Sequence, residues 1–323
     1  MAEPEDNLAL SRQNALGAGL LDRCGHLRRE GELLPSLLAG EATALVPVWR
    51  GKNLFAQTES PEPVFLTPAR AKLTRGERGE LVFMGTVAGT HYLAALLDSK
   101  NEAIPRRYAK YGVFSDLRRF LSTLGSAQGE LLATARGYAH WRQTSRFCGV
   151  CGKRLTASEG GHTLTCGAGG CGNLVFPRTD PAVIVLVTRG DKCLLGRQAS
   201  WPVGRFSSLA GFVEPGESLE EAVVREVREE AGIAVDRVSY RSSQPWPFPS
   251  SLMAGFHARA ASSKISLHDK ELIEARWFTR AQLAKEIRAG TLLLPTSASI
   301  SFRLLEEWYD AGPGGKLADL AGC

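Results

Sequence analysis

The stretch Gly211-Phe-Val-Glu-Pro-Gly-Glu-Ser-Leu-Glu-Glu-Ala-Val-Val-Arg-Glu-Val-Arg-Glu-Glu-Ala-Gly-Ile233 constrains this chain more than any other. Ser218 followed three residues on by Glu221 is a capping box, in which each side chain satisfies a backbone N–H at the start of a helix. Gly232 supplies a left-handed stop. The spacing predicts a helix over 218–231. At about 100° per residue, Glu226, Glu229 and Glu230 fall near 0°, −60° and +40°, on one face. Val224, Val227 and Ala231 fall near 160°, 100° and 140° and are expected to form a separate, core-facing stripe. A solvated helix usually intersperses lysines among its glutamates, because like charges on neighbouring positions repel. A hard divalent cation bound through oxygen removes that repulsion, and Mg²⁺ or Mn²⁺ fits. Arg225 and Arg228 flank the cluster and can hold carboxylates by charge-assisted bonds.

A second cluster lies upstream. Four of the seven cysteines fall within 24 residues, as Cys148-x2-Cys151, fourteen residues, then Cys166-x4-Cys171. The others, Cys24, Cys193 and Cys323, are scattered. An odd count without a secretion signal argues against a disulfide framework, and clustering argues for metal. Two thiol pairs on two tight turns can close a tetrahedron around one Zn²⁺, and four thiolates leave no open position, so such a zinc is structural. Gly149, Gly152, Gly167 and Gly172 supply the permissive backbone. His162 is expected to be an exposed loop residue rather than a ligand.

The rest of the chain sets the frame. Its 323 residues suggest about two domains, and 44% apolar content excludes global disorder. No stretch approaches a membrane span, and the acidic N-terminus lacks a secretory pattern, so a cytoplasmic location and no membrane association are expected. The net charge of +5 is mild, but residues 101–154 carry ten Lys/Arg against three Asp/Glu. That stretch reads as a solvated basic face or as a collar for phosphates or RNA. Apolar runs at 42–49, 63–66, 80–88 and 92–97 predict strands, and 111–124 and 130–141 show helix-like spacing. Residues 1 to about 40 read as flexible or locally helical. Beyond 181, strands are expected at 182–187, 192–196, 251–260 and 275–278, a Pro-rich loop at 241–249 and a last helix at 297–309.

The string Gly211-x5-Glu217-x7-Arg225-Glu226-Val227-x-Glu229-Glu230-x-Gly232-Ile233 resembles the Nudix box at every defining position. Downstream, Ser243-Gln-Pro-Trp-Pro-Phe-Pro-Ser-Ser251 resembles the SQPWPFPxS signature of the NADH pyrophosphatase family of Nudix hydrolases. A four-cysteine ribbon ahead of the Nudix domain and the link Phe176-Pro-Arg-Thr-Asp-Pro181 agree with that family. The resemblance is specific over about 141–309.

It implies an α+β chain divided into an N-terminal α+β domain (1–145), a zinc ribbon (146–176), a Nudix α/β/α sandwich with a mixed sheet (177–312) and a tail (313–323). It implies metal-dependent hydrolysis of NADH or NAD⁺ to nicotinamide mononucleotide and AMP, removal of NAD caps from RNA, and a homodimer. A broader dinucleotide or ADP-ribose pyrophosphatase, and a non-catalytic zinc-ribbon nucleic-acid-binding or regulatory protein, are the competing readings. Carried over by position, Glu226, Glu229 and Glu230 are the catalytic metal-binding glutamates. Glu271 is a later metal-binding carboxylate, and Phe212 lies beside the metal and the nicotinamide. The substrate loop is Gln244, Pro245, Trp246, Pro247, Phe248, Pro249, Ser250 and Ser251. Its prolines stiffen it, its aromatics offer flat faces, and Gln244 and Ser251 can hydrogen-bond a base or ribose edge. Phe176 stands where the family often has Tyr, and Ser301 where it often has Ala in the last helix.

Overall fold

The computed structural model describes residues 6–267 and 271–321; Asp269, just ahead of Glu271, and Cys323 lie outside them. The chain forms two compact units. One comprises Leu16–Thr179 with Trp246–Ser250, the other Met1–Ala15, Asp180–Pro245 and Ser251–Cys323. Residues 6–15 thus cluster with the Nudix-box unit, and the tip of the Pro-rich loop clusters with the other.

The unit built on Leu16–Thr179 holds a five-stranded sheet of β1 (Thr43–Trp49), β2 (Lys52–Phe55), β3 (Leu81–Val87), β4 (Thr90–Leu96) and β5 (Val113–Ser115). Its order is β3-β4-β1-β2-β5, with β1 and β4 parallel. The helix Ser126–Thr144 packs on β1, β3 and β4 and buries Leu131, Leu132, Ala135, Ala139 and Trp141. The run at 63–66 makes only isolated bridges, Phe55 with Pro63 and Leu45 with Leu66. The helix-like spacing at 111–124 resolves instead into β5 and a single 3₁₀ turn, Leu117–Arg119. Val113 and Phe114 pair with Phe55 and Leu54, and the Asp116 carboxylate accepts the Arg118 N–H at 2.9 Å, starting the turn. Pairing across the sheet overrides a weak local period. Three short strands complete the unit: β6 (Thr156–Ser158), β7 (Thr163–Thr165) and β8 (Leu174–Val175).

The other unit is a helix–sheet–helix sandwich. Its strands are β9 (Asp180–Arg189), β10 (Lys192–Gln198), β11 (Leu209–Phe212), β12 (Val235–Trp246), β13 (Ser251–Ala260) and β14 (Leu272–Thr279). The order is β12-β13-β9-β10-β14, with β11 also on β9. β13 runs parallel to β9, whereas β10 and β11 run antiparallel to it. The apolar run in β9 splits by alternation, as a strand covered on both faces must. Val183, Val185 and Val187 join the core under the helix Leu219–Ala231, while Ile184 and Leu186 join the core under Arg280–Arg288 and Ile300–Asp310. The Pro-rich stretch is not a loop throughout, because β12 runs to Trp246. β12 is an edge strand, where a proline at 245 costs no ladder bond to a neighbour on its open side.

Candidate active site and metal centre

The box helix forms as its local signals require. Ser218 Oγ accepts the Glu221 N–H at 3.2 Å, Glu221 accepts the Ser218 N–H at 2.8 Å, and Gly232 closes the helix at φ 68°. One expectation is corrected. Val224 is 41% exposed, and Val223 takes its place beside Ala222, Val227 and Ala231 in the core. The inward arc therefore includes Glu226 and Glu230, both buried, the latter with only 2% of its surface exposed. Glu229 stays at the surface. The Glu226 carboxyl group packs against Gly211 of β11.

Arg225 organises the cluster. Its Nε and Nη2 grip both oxygens of Glu217 at 3.0 and 2.6 Å. Its Nη1 donates to Glu226 at 2.8 Å and to Glu229 at 3.1 Å, and Nη2 also reaches the carbonyl of Phe212 at 2.9 Å. This planar fork ties the loop at 212–217 to the helix. The carboxylates around it drive the Arg225 pKa upward, foremost Glu217, and Arg225 in turn holds Glu217 below the usual carboxylate range. Glu226 moves the other way. Burial raises its pKa, the charges of Glu229 and Glu271 add to the rise, and Arg225 opposes it. Glu271 accepts a bond from Gln198 Nε2 at 3.4 Å. Phe212, 60% exposed, turns its ring outward at the end of β11.

The cysteines converge. Among the described residues, the sulfurs of Cys148, Cys151, Cys166 and Cys171 are the group of metal-ligand type whose donor atoms all lie within 4.8 Å of one another. Cys148 Sγ stands 3.6 Å from Cys171 Sγ, and Cys151 Sγ 3.3 Å from Cys166 Sγ. A tetrahedron with metal–sulfur bonds near 2.3 Å has edges of about 3.8 Å, so the donor set fits one zinc-sized ion. The two cysteine turns are built alike. Gly152 N–H reaches Cys148 O at 2.9 Å and Gly172 N–H reaches Cys166 O at 3.0 Å, with both glycines left-handed at φ 73° and 74°. The longer x4 spacing is absorbed by a small turn, Gly170 N–H to Gly167 O at 2.7 Å. Backbone N–H groups of Cys151 and Val150 bring the Cys148 thiol down to about 6. His162 is neither ligand nor exposed. It is buried, with its ring between Tyr138 Oη (2.8 Å) and the Phe83 carbonyl (2.5 Å).

The expected substrate residues divide between the two units. Phe212, Gln244, Pro245, Ser251 and Ser301 share the sandwich unit with the box glutamates and Glu271, whereas Phe176, Trp246, Pro247, Phe248, Pro249 and Ser250 belong to the other. Phe176 is exposed. Trp246 and Phe248 meet edge to face at 5.0 Å. Gln244 is 1% exposed, and its amide bonds to three backbone groups. Nε2 donates to Ala298 O at 2.7 Å and Ala15 O at 3.0 Å, and Oε1 accepts the Ile300 N–H at 2.9 Å. Ser301 is buried, with its Oγ 2.8 Å from Ser207 Oγ and accepting the Ser208 N–H at 3.1 Å. These two side chains serve the framework around the site. Ser251 opens β13, opposite Asp180.

Sequence reasoning missed Asn14. Buried, it donates through Nδ2 to Ser242 Oγ at 3.1 Å and Ser243 O at 2.8 Å, and Ser11 Oγ accepts the Ser243 N–H at 3.0 Å. The helix Asn7–Gln13 and the residues after it thus strap the start of the SQPW segment. No signal near residue 14 points 228 positions downstream.

Comparison with known proteins bears on this arrangement. The NUDIX domain family matches residues 178–294, and the family described as an NADH pyrophosphatase-like rudimentary NUDIX domain matches 42–141. The NAD-capped RNA hydrolase NudC of Mycobacterium bovis is 40% identical over 247 residues, 71% of this chain and 75% of that protein. The chain belongs to the NADH pyrophosphatase-type branch of the Nudix family. The human NAD-capped RNA hydrolase NUDT12 is 41% identical over 204 residues, 60% of this chain. The match spans 44% of that human relative's length, so less than half of it has a counterpart here. Among the described residues, no helix is long and apolar enough to cross a membrane.

Proposed function

We propose that the chain is a metal-dependent pyrophosphatase that cleaves NADH and NAD⁺ to the nicotinamide mononucleotide and AMP, and that it removes NAD caps from RNA. The observation that carries this reading is the Arg225 fork, which holds Glu217, Glu226 and Glu229 together with the Phe212 carbonyl, with the Glu226 carboxyl packed against Gly211. The relatives named NAD-capped RNA hydrolase supply the substrate class. In the reaction, water oxygen bonds to one phosphorus, the bridging P–O bond breaks, and the bridging oxygen leaves on the other phosphate. Glu226, Glu229 and Glu230, with Glu271, would hold Mg²⁺ or Mn²⁺, which neutralises pyrophosphate charge and lowers the pKa of water. Arg225 fixes Glu226 and Glu229 in place and anchors the Phe212 carbonyl, leaving the Phe212 ring free to face a planar base.

Cys148, Cys151, Cys166 and Cys171 hold a structural zinc in this reading, and a homodimer in the cytoplasm is the family's implied form. The domain division at 145, 176 and 312 is part of the same proposal. Trp246 and Phe248 present the flat surfaces of the substrate loop, with Pro245, Pro247 and Pro249 limiting its freedom and Ser250 and Ser251 at its exit. Gln244 and Ser301 hold the framework of the sandwich unit itself. Phe176 offers a further exposed ring. The test is product analysis with NADH, NAD⁺, ADP-ribose and NAD-capped RNA, each with Mg²⁺ and with Mn²⁺. Equal turnover of ADP-ribose and NADH would move the reading to a broader dinucleotide pyrophosphatase, and no turnover of any would leave a non-catalytic protein.

A further inference from the structure

The tip of the SQPWPFP loop rests on one side chain of the rudimentary domain. Arg136, in the middle of the helix Ser126–Thr144, donates from Nε to the Pro247 carbonyl at 2.7 Å. Its guanidinium carbon stands 4.8 Å from the centre of the Phe248 ring. On another side the same guanidinium lies against Gly51, left-handed at φ 67° in the β1–β2 turn; a Cβ there would approach Nη1 to 3.2 Å. Phe248 in turn meets Trp246 edge to face. Arg118, gripped by Asp116, adds a second guanidinium 5.4 Å from the Phe248 ring.

Gly51, Arg136, Phe248 and Trp246 therefore form one packed series. Pro245, Pro247 and Pro249 lack N–H groups, so this segment has few backbone donors with which to fix itself. A charged donor on a carbonyl and a cation over an aromatic face are both stronger than neutral surface contacts. A guanidinium delivers both at once because it is planar and carries donors at its edge. A lysine has neither the planar face nor a donor at the Nε position.

We propose that Arg136 is the positioning residue of the substrate loop, holding the Pro247 carbonyl and the Phe248 ring so that the loop is ordered before substrate binds. The proposal rests on the reading of this loop as the element that receives the dinucleotide. Ordering it in advance lowers the entropic cost of binding, so the effect falls on affinity rather than on the bond-breaking step.

The test uses the full chain with Arg136→Met and Arg136→Lys. Hydrogen exchange is read at the Trp246 and Phe248 amides, and steady-state kinetics are measured with NADH. Arg136→Met is expected to speed exchange at the loop and raise KM about tenfold, the worth of a charged hydrogen bond, with kcat held within about twofold. Arg136→Lys should fall between Met and the parent, and it carries the comparison alone if the Met variant does not fold. Unchanged loop exchange in the variants would overturn the proposal. So would faster exchange with unchanged KM, or a loss confined to kcat. A parent protein that does not hydrolyse NADH would remove the functional reading instead, and the exchange experiment would still decide whether Arg136 fixes the loop.

Discussion

Gly211 and Glu226 compete for one space: a Cβ on residue 211 would overlap the Glu226 carboxyl group. Gly211 is not in the left-handed region, so what demands glycine is this contact and not the backbone angle. The box glycine and the first box glutamate are thus a single geometric unit. Gly211→Ala is expected to push the Glu226 carboxyl aside and lower kcat about a hundredfold, the scale of a misplacement near 1 Å. The melting temperature should change little, because the tip of a side chain can swing away. Gly211→Ala added to Glu226→Gln should cost little more than Glu226→Gln alone, since both damage the same group. Additive losses in that double-mutant cycle would separate the two residues.

Glu230 lies on the inward arc with Glu226 and is 2% exposed. Glu230→Gln keeps the shape and removes the charge. It should cut turnover at saturating metal on the order of 10³-fold, several kcal/mol of barrier, with the fold intact. A purified variant retaining most of its turnover would take Glu230 out of the active site.

How much of this was legible depends on how local each signal is. The helix 219–231 was readable because its cap, its stop and its charges all lie within fifteen residues. Which of its faces meets the core was not, because that is decided by the sheet, and so Val223 rather than Val224 is buried. The four cysteines were readable because their spacing is itself the constraint, and the x4 gap folds into one extra turn. Arg136, Asn14 and the true place of Gln244 were not legible. Each acts on a partner between 54 and 230 residues away, and nothing in the adjoining sequence marks it.

The cysteine cluster makes a compositional prediction. Protein purified without added metal should contain about one equivalent of zinc, as a closed four-thiolate site requires. Cys166→Ser should release it and loosen 146–176 before the sandwich unit is affected, read by elemental analysis and limited proteolysis. A folded, active and zinc-free preparation would end the structural role.

His162 makes a prediction about pH. A carbonyl can only accept, so Nε2 carries the proton toward Phe83, and Nδ1 accepts from the Tyr138 hydroxyl. Burial, partly offset by the Phe83 carbonyl, holds the imidazole down at about 4. As pH falls below about 6.5 the unfolded chain takes up a proton that the folded chain refuses. Stability should therefore be lost between about pH 6.5 and 4, on the order of 3 kcal/mol at most. His162→Gln, which can still accept from Tyr138 and donate to Phe83, should flatten this part of the profile. Urea unfolding of both proteins at pH 7, 6 and 5 measures it, and parallel profiles would assign the acid sensitivity elsewhere.

The last prediction concerns Gln244, which the sequence would place against substrate and the structure places in the frame. Its amide joins three backbone groups, Ala15 O, Ala298 O and Ile300 N–H, with almost no exposed surface. Both amide hydrogens are spent on backbone, and the acceptor direction left on Oε1 is buried, so a nicotinamide edge has no open donor to meet here. Ile300 opens the helix Ile300–Asp310, so the same side chain ties the N-terminal strap, that helix and the start of the SQPW segment together. Gln244→Ala leaves two buried backbone groups, Ala298 O and Ile300 N–H, and the part-buried Ala15 O without this partner, and a buried group costs about 1–3 kcal/mol when unsatisfied. Stability should fall by several kcal/mol, and kcat/KM for NADH and for ADP-ribose should fall by the same factor. A direct contact with the nicotinamide would do the reverse, sparing stability and weakening NADH alone. Measuring unfolding and both substrates on one preparation separates these outcomes, and a selective loss on NADH would return Gln244 to the binding surface.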